Sequence, residues 1–281
     1  MIGRKPDLVC IGAQKAATSW LYRVCQARED IWVPPFKELH FFDHKFCPEN
    51  RKWARTNLVQ GVEKAARRHL KNKAKPDAEY LAYLDRLVQQ PAFNGTWYKH
   101  VFSRAPARQI CLDVTPEYCT LPEDGVDFVA KFLREARFIY IIRDPVDRAA
   151  SQLRMNLTRR KITPKTEKAW MRHATDPVIA HRGDYATYVP RWDARFDDLR
   201  LLYLPFGQIA AEPQAVMRRI EAFAGLDRAD PWGLDRKFHT TDALDVPEAV
   251  IAHFETAFAP QRAFLRDRFG AGFMDALSAA A

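Results

Sequence analysis

The chain has 281 residues, of which 47% are hydrophobic and 28% charged, an ordinary balance for a globular protein with a sizeable core. Its formal charge of +9 favours an anionic partner such as a nucleotide, a glycan, a nucleic acid or a lipid surface. No uncharged stretch approaches the roughly 20 residues of a membrane helix. Charges at Asp7 and Lys15 leave too short an apolar run for a signal peptide.

The cysteines predict the redox environment. They form no CxxC pair, and three of them lie inside apolar runs, which is typical of buried free thiols. Free thiols suit a reducing compartment, so we expect a cytoplasmic protein. The cysteines are Cys10, Cys25, Cys47, Cys111 and Cys119.

Short apolar runs predict buried strands. These runs lack an alternation of polar and apolar residues, as is typical of parallel strands covered on both faces. The first run is followed by a polar turn and a helical spacing of apolar residues, which is the opening unit of a wound α/β sheet. The predicted strands cover residues 7–13, 109–114, 137–142 and 199–204.

Helices are predicted between and after these strands. Gly225 is expected to cap one of them, and Pro260 to break or kink another. Residues 60–90 predict one or two surface helices, within a helical insertion at about 48–100. The pattern predicts one α/β domain over residues 1–281, with a central, mostly parallel sheet flanked by helices. The other predicted helices cover residues 18–27, 124–135, 213–224 and 247–269.

The turn after the first predicted strand carries basic and hydroxyl residues, namely Lys15, Thr18 and Ser19. A turn that leaves a buried strand and starts a helix offers free N–H groups and the positive end of the helix dipole to an anion. A Walker A loop differs, because there lysine directly precedes Ser or Thr. The segment predicts a P-loop-like phosphate-binding turn; the alternative is a capped turn with a solvated lysine.

A second segment, residues 34–43, combines charged groups with aromatic residues. Glu38 and His40 lie two residues apart, so their side chains share a face if the segment is extended. Neighbouring aromatic rings are expected to raise the pKa of Glu38 toward that of a useful general base. His40 is the other candidate base, or a group that orients the substrate. The alternative is a satisfied polar cluster without a catalytic role.

A third segment follows the predicted strand at 137–142. Arg143 stands at the carboxyl end of this strand, and a helix begins at Pro145 and reaches Ser151 about two turns later. An arginine in this place is suited to bind a phosphate with two hydrogen bonds. The alternative is a surface ion pair of Arg143 with Asp144 or Asp147.

Together the three segments resemble the sulfotransferases that use 3′-phosphoadenosine-5′-phosphosulfate (PAPS), and most closely the heparan-type and bacterial carbohydrate enzymes. Lys15-Ala-Ala-Thr-Ser-Trp-Leu is similar to the family's 5′-phosphosulfate loop. In the segment Phe138-Ile-Tyr-Ile-Ile-Arg-Asp-Pro-Val-Asp-Arg-Ala-Ala-Ser, Arg143 and Ser151 match the two ligands of the 3′-phosphate. Lys37-Glu-Leu-His-Phe-Phe-Asp resembles the segment that carries the catalytic glutamate, which is Glu38 here.

The resemblance implies roles for individual residues. The catalytic residues would be Glu38 as base, Lys15 at the leaving group and His40 as the alternative base. A further similarity at 113–118 implies acceptor contacts, and a looser one near Lys237 implies a loop over the adenosine. The implied cofactor-binding residues are Lys15, Ala16, Ala17, Thr18, Ser19, Trp20, Arg143, Ser151, Lys237 and His239. The implied substrate-binding residues are Lys37, His40, Phe41, Phe42, Thr115 and Tyr118.

One residue of the phosphosulfate loop departs from the family's pattern. Ala17 stands where the family has glycine. If this position required a positive φ, alanine would cost about 1 kcal/mol, whereas in a helical conformation it would be harmless. We expect the helical conformation.

The implied function is transfer of a sulfuryl group from PAPS to a hydroxyl or amine, with release of adenosine 3′,5′-bisphosphate (PAP) and no need for a metal. The resemblance of the segment at 37–43 to carbohydrate enzymes favours a carbohydrate or glycolipid acceptor, for example an anionic glycan, and leaves a small alcohol, a phenol or a lipid-linked sugar as alternatives. The sequence gives no oligomeric state.

Two other functions compete with this one. A P-loop nucleotide kinase would need Mg²⁺ and the Gly-Lys-Ser/Thr order, which this chain lacks. A nucleic-acid-binding protein would use the basic stretches at 64–75 and 159–173. We interpret these stretches as solvated helix faces that would bind an anionic glycan rather than a nucleic acid.

Overall fold

The computed structural model describes residues 3–72, 76–89, 91–229, 234 and 244–278. Its strands form one parallel sheet in the order β2-β3-β1-β4-β5. The four predicted strands and their parallel arrangement are confirmed, and the sequence missed only the two-residue edge strand at 31–32 among the strands described. The strands are β1 (Leu8–Gly12), β2 (Ile31–Trp32), β3 (Ile110–Val114), β4 (Arg137–Ile142) and β5 (Leu201–Pro205).

Helices flank this sheet, as predicted. The stretch at 60–90 contains parts of two helices, α3 and α4 below, while the status of residues 48–100 as an insertion stays a prediction. Gly225 ends α12 in a left-handed conformation with φ 69°, which confirms the predicted cap. The helices are α1 (Thr18–Gln26), α2 (Phe41–Phe46), α3 (Arg51–Asn72), α4 (Ala78–Val88), α5 (Gly95–Val101), α6 (Glu123–Phe132), α7 (Pro145–Arg160), α8 (Glu167–Ala174), α9 (Pro177–His181), α10 (Tyr185–Asp193), α11 (Phe206–Ala211), α12 (Pro213–Ala224), α13 (Glu248–Phe269) and α14 (Ala271–Asp275).

Of the break or kink predicted at Pro260, the break is wrong, because α13 runs through this residue, and the kink stays a prediction. Proline removes the hydrogen bond to the carbonyl four residues earlier, here that of Thr256. Thr256 is exposed, so water can satisfy the free carbonyl oxygen. On the other side of the helix, Phe254 and Phe258 are at most 4% exposed and pack into a second hydrophobic cluster with α7 and α8. Burial of this face holds the helix together across the proline.

The main hydrophobic core surrounds the central strands. Residues Leu8 to Ile11 of β1 are at most 1% exposed, and Phe138 to Ile142 of β4 are fully buried. Burial on both faces explains why the sequence of these strands does not alternate. The carboxyl ends of β1, β3 and β4 lie side by side at one edge of the sheet, which is where open α/β sheets bind their ligands.

Candidate active site

The turn after β1 forms the first part of the site. Lys15 and Ala17 both have left-handed backbone conformations, with φ values of 69° and 56°. Helix α1 begins at Thr18, and no side-chain hydrogen bond caps its N-terminus among the described residues. The N–H groups of the first turn are therefore available to an anion, as the sequence predicted.

The expected helical conformation of Ala17 is wrong. The residue directly precedes α1 with φ 56° and ψ 18°, because the chain must reverse direction between the strand and the helix. A Cβ atom in this conformation costs about 1 kcal/mol. The preference of the family for glycine thus has a conformational reason at this position, and this chain tolerates the cost.

Lys37 connects the turn to the predicted base. Its Nζ atom donates to Thr18 Oγ1 at 2.9 Å and to Ser19 Oγ at 3.2 Å. The same ammonium lies 3.3 Å from Glu38 Oε1. The structure therefore brings Thr18, Ser19, Lys37 and Glu38 together, as the resemblance implied.

Glu38 is one end of a line of charged groups. Its Oε2 lies 3.5 Å from His40 Nε2, and His40 Nδ1 lies 3.0 Å from Asp43 Oδ2. The side chain of Glu38 is 24% exposed, whereas those of His40 and Asp43 are fully buried. Asn50 donates to Asp43 at 3.3 Å, and the Trp53 ring lies 4.1 Å from the imidazole ring. The imidazole is thus enclosed on all these sides and unavailable to an acceptor in this conformation.

The charges of this line set the pKa values of its members. Burial alone would lower the pKa of His40, but hydrogen bonds and charges from Asp43 and Glu38 raise it to about 10. Burial would also raise the pKa of Glu38, yet the charges of Lys37 and His40 hold it well below its usual range. The predicted upward shift for Glu38 is therefore wrong, because two neighbouring cations outweigh the aromatic surroundings.

The backbone of the loop at 38–41 is fixed by hydroxyl groups from the segment after β3. Thr115 Oγ1 accepts from the N–H of Leu39 at 2.9 Å, and Tyr118 OH accepts from the N–H of Phe41 at 3.0 Å. Both hydroxyls donate in turn to the carboxylate of Asp113, at 2.7 and 3.1 Å. Glu38 and His40 have φ values of 70° and 53°. This clamp holds both residues in conformations that non-glycine residues rarely adopt.

Four side chains implied as acceptor contacts lie in the core instead. Phe41, Phe42, Thr115 and Tyr118 are at most 2% exposed, and the two phenylalanines stack among other aromatic rings. They position the loop and do not face a surface that an acceptor can reach. Of the implied acceptor set, only Lys37 has a partly exposed side chain, at 18%.

Arg143 lies beside the turn, as predicted from its place after β4. Its Nη1 donates to the carbonyl of Lys15 at 2.8 Å, and its guanidinium lies 4.3 Å from the ring centroid of Phe206. Its buried Nε has no partner among the described residues. Ser151 is 8% exposed and lies on α7, the helix that begins two residues after Arg143.

The alternative ion pair of Arg143 is wrong. Asp144 instead caps α7 by accepting from two backbone N–H groups, and Arg262 binds it at 2.7 and 2.9 Å. Asp147 accepts a hydrogen bond from Ser278 at 3.1 Å. No carboxylate within the described part of the chain forms a salt bridge with Arg143. Its charge is therefore available to a bound anion.

Positive charge accumulates around Lys15. Burial lowers the pKa of its ammonium group to about 8, and the charges of neighbouring cations add to this shift. The part of the shift that the cations cause shows that the ammonium group of Lys15 lies in a positive potential. The contributing cations are Arg143, Arg159, Lys37 and Arg154.

The sequence interpretation missed a buried ion pair and the cavity beside it. Arg182 donates to Glu117 at 2.9 and 3.1 Å and to Gln14 Oε1 at 2.8 Å. Burial raises the pKa of Glu117 despite this guanidinium. The sequence shows that Arg182 is charged, but no local sequence pattern indicates that it pairs with Glu117, which is 65 residues away. The cavity has a volume of about 270 Å³ and is lined by Gln14, Asn50, Trp53, Met155, Asn156, Arg159 and Arg182.

The remaining residues implied to bind the cofactor are Trp20, Ala16, Lys237 and His239. Trp20 is 5% exposed, and its indole N–H donates to the carbonyl of Leu234 at 2.9 Å. Ala16 is fully buried in the turn. Lys237 and His239 lie outside the described residues. Their contact with the adenosine stays a prediction.

Residues 6–230 match the model of the sulfotransferase family. The chain belongs to this family. The mouse heparan sulfate glucosamine 3-O-sulfotransferase 3B1 is 24% identical to this chain over a region of 180 residues. That region covers 61% of the chain and 46% of the mouse protein. The human heparan sulfate glucosamine 3-O-sulfotransferase 6 is 25% identical over 182 residues, which are 61% of the chain and 52% of that protein.

Solved sulfotransferase structures share the fold of the chain. A sulfotransferase from Alicyclobacillus acidocaldarius superposes with a TM-score of 0.64 and 21% identity, over 94% of this chain and 96% of that one. A sulfotransferase domain from the curacin biosynthetic pathway gives a TM-score of 0.55 at 12% identity, over 92% and 98%. The family and the α/β fold implied by the motifs are thereby confirmed. The chain spans about half the length of the curated relatives it matches.

The described residues contain no group of three or more His, Cys, Asp or Glu side chains placed to bind a metal ion. None of the described helices is long and apolar enough to span a bilayer.

Proposed function

We propose that this protein transfers a sulfuryl group from PAPS to a hydroxyl group of a carbohydrate acceptor and releases PAP. One observation carries the proposal. The ammonium of Lys37 binds Thr18 and Ser19 of the anion-binding turn and also contacts Glu38. An anion on the turn and a nucleophile at Glu38 would therefore meet at one place, as a transfer reaction requires.

The donor side supports a ligand with several negative charges. Lys15, Lys37 and Arg143 surround the turn, and of these three only Lys37 forms a salt bridge among the described residues, with Glu38. The N–H groups at the start of α1 would bind the 5′-phosphosulfate. Arg143 and Ser151 would bind the 3′-phosphate. The guanidinium of Arg143 has no carboxylate partner among the described residues, and its Nε has no hydrogen-bond partner there, so both its charge and this donor are available to a phosphate.

Glu38 rather than His40 would act as the base. With a pKa of about 10, the imidazole is protonated at neutral pH and cannot accept a second proton. Glu38 is ionised, because its pKa is held low, and it is the more exposed of the two. When the donor binds, its sulfate would attract Lys37 away from Glu38. Loss of that cation raises the pKa of the carboxylate and makes it a stronger base.

The reaction would then be an in-line displacement at sulfur. The acceptor oxygen forms a bond to sulfur while Glu38 takes its proton. The bond between sulfur and the bridging phosphate oxygen breaks, and its electron pair leaves on PAP. Lys15 would stabilise the charge that develops on that oxygen, and positioning and electrostatics would supply most of the rate.

The carbohydrate acceptor and the compartment are finer parts of the proposal. The 24% and 25% identity to enzymes named for heparan sulfate glucosamine supports a sugar acceptor. Free and buried cysteines support a reducing compartment, and we propose a cytoplasmic location on that ground.

Nucleotide selectivity tests the donor half of the proposal. Calorimetric titration should give clearly tighter binding of PAP than of AMP. Arg143→Ala should weaken PAP binding by about tenfold to a hundredfold, the worth of a charge-assisted pair, and leave AMP binding nearly unchanged. Equal affinity for PAP and AMP, or a preference for ATP with Mg²⁺ as expected of a kinase, would refute the donor assignment. Binding to DNA that falls steeply with salt, without nucleotide selectivity, would indicate a nucleic-acid-binding protein.

Transfer itself is measured with PAPS that carries ³⁵S. The protein is incubated with heparosan oligosaccharides, simple glycosides, phenols and aliphatic alcohols, and the label is followed into each acceptor. We expect incorporation into a sugar, at a rate about 10²–10⁴-fold lower with the Glu38→Gln variant. Labelling of phenols or alcohols alone would contradict the carbohydrate part of the proposal and leave the sulfotransferase part intact.

A further inference from the structure

The cavity of about 270 Å³ lies against both halves of the candidate active site. Gln14, in its wall, directly precedes Lys15 of the turn. Trp53 packs on the His40 ring at 4.1 Å, and Asn50 binds Asp43 at 3.3 Å. A molecule in this cavity would therefore lie next to Gln14 and against the side chains that contact His40 and Asp43. Glu38 is not among the described lining residues, so an acceptor that reaches Glu38 would extend beyond the cavity.

The two arginines of the cavity differ in their pairing. Arg182 is bound by Glu117 and Gln14, so its charge is neutralised and its guanidinium is held in place. Arg159 is exposed and forms no salt bridge within the described part of the chain. It lies in the last turn of α7, where any cation is favoured by the helix dipole. Unlike Arg160 in the same turn, however, it reaches the cavity.

The remaining wall indicates a polar acceptor. Gln14, Asn50 and Asn156 contribute carboxamides, which can both donate to and accept from hydroxyl groups. Trp53 and Met155 are the only apolar side chains among the described residues that line the cavity, which is too little apolar surface for a steroid or a phenolic ring system. One aromatic wall with several amides suits the mixed surface of a sugar ring.

We infer that this cavity binds one sugar unit of the acceptor, an inference that rests on the proposed function. Arg159 selects for a negative charge on that acceptor, a carboxylate or a sulfate. The volume is near the lower end of the roughly 300–1,000 Å³ typical of ligand pockets, so the rest of a longer acceptor lies outside. Arg159 is the specificity-determining residue, since it is the cation of this wall without a protein carboxylate.

A matched pair of variants tests the inference. Arg159→Gln removes the charge in the cavity, and Arg160→Gln removes an equal charge from the same helix turn outside it. Each protein is saturated with PAP, and binding of a heparosan tetrasaccharide is compared by calorimetry with that of the same tetrasaccharide after reduction of its carboxyl groups to alcohols. The affinity for PAP alone is measured in parallel.

We expect wild-type protein and Arg160→Gln to bind the anionic tetrasaccharide about tenfold to a hundredfold more tightly than the reduced one. Arg159→Gln should abolish this preference and weaken PAP binding far less than Arg143→Ala does, although its charge also acts on Lys15. Equal binding of both sugars by the wild type, binding of neither, or a preference that survives in Arg159→Gln would overturn the inference. A loss of PAP affinity in Arg159→Gln as large as that in Arg143→Ala would also overturn it, by assigning the residue to the donor. Selective PAP binding by the wild type shows in every case whether the donor half of the proposed function stands.

Discussion

The donor side of the site uses mainly backbone groups, whereas the acceptor side depends on buried side chains. At the donor side, the turn at 13–20 offers backbone N–H groups, and the cations Lys15 and Arg143 form no salt bridge among the described residues. At the acceptor side, the loop at 38–41 is held by buried side chains, each with a specific hydrogen-bond partner. Backbone groups survive a change of side chain, whereas a buried network does not. The donor side should therefore tolerate substitutions that the acceptor side cannot.

The largest expected effect concerns Glu38 on the acceptor side. Glu38→Gln keeps the shape of the side chain and removes its ability to take a proton. Turnover should fall by about 10²–10⁴-fold, the usual contribution of a general base. PAP affinity should change little, because Lys37 can still bind Thr18 and Ser19. Steady-state kinetics and calorimetry measure the two effects, and near-native turnover would remove Glu38 from its role.

A pair of tyrosines sharpens the contrast within the acceptor side. Tyr98 and Tyr118 both donate to Asp113 Oδ2, at 2.8 and 3.1 Å, but only Tyr118 also accepts from the backbone of the catalytic loop. Each Tyr→Phe variant should lower the free energy of unfolding by about 1–3 kcal/mol. Tyr118→Phe should in addition lower turnover by about tenfold, since the N–H of Phe41 loses its partner, whereas Tyr98→Phe should not.

Urea denaturation and kinetics of both tyrosine variants provide the measurement. Equal turnover of the two variants would mean that the clamp on the loop does not matter for catalysis. Each variant removes one hydroxyl group that donates to Asp113, so the two variants should lose similar stability. If the urea data confirm this, a lower turnover of Tyr118→Phe alone cannot be attributed to partial unfolding.

On the donor side, the pKa of Lys15 predicts a pH dependence. In the free protein this pKa is about 8, so the ammonium loses its proton as the pH rises through this value. A bound anion favours the protonated form, so PAP binding should be accompanied by proton uptake near pH 8. Between pH 7 and 9 the affinity for PAP should fall about tenfold.

Calorimetry in buffers of different ionisation enthalpy detects that proton. Lys15→Arg serves as the control, because arginine stays charged over this range and should give a flat profile. An equally steep loss of affinity in Lys15→Arg would assign the titration to another group.

The smallest effect is expected at Ala17. Glycine relieves the left-handed strain at φ 56° but makes the unfolded chain more flexible. These opposing terms leave a gain of about 0.5 kcal/mol in the free energy of unfolding. PAP affinity should stay within twofold, since the N–H groups of the turn are unchanged. A large loss of affinity in Ala17→Gly would show that the donor side depends on side-chain packing after all.

Much of the fold was readable from local patterns. The strands at the centre of the sheet are buried on both faces, so their apolar runs stand out in the sequence, while the two-residue edge strand β2 is too short to form a run. The positions of Lys15, Arg143 and Ser151 followed from the rule that the carboxyl ends of parallel strands meet at one edge. The helix continues through Pro260, contrary to the predicted break, because burial of Phe254 and Phe258 compensates for the lost hydrogen bond.

The sequence by itself determined the parallel α/β sheet, the anion-binding turn and the family, because these depend on residues close together along the chain. Tertiary structure alone decided the charge states at the acceptor side. Lys37 and His40 lower the pKa of Glu38, and the carboxylates of Asp43 and Glu38 keep His40 protonated despite its burial. It also decided which arginine of the cavity is neutralised, since Glu117 reaches Arg182 across 65 residues. Such effects depend on distance and burial in three dimensions, which spacing along the chain does not encode.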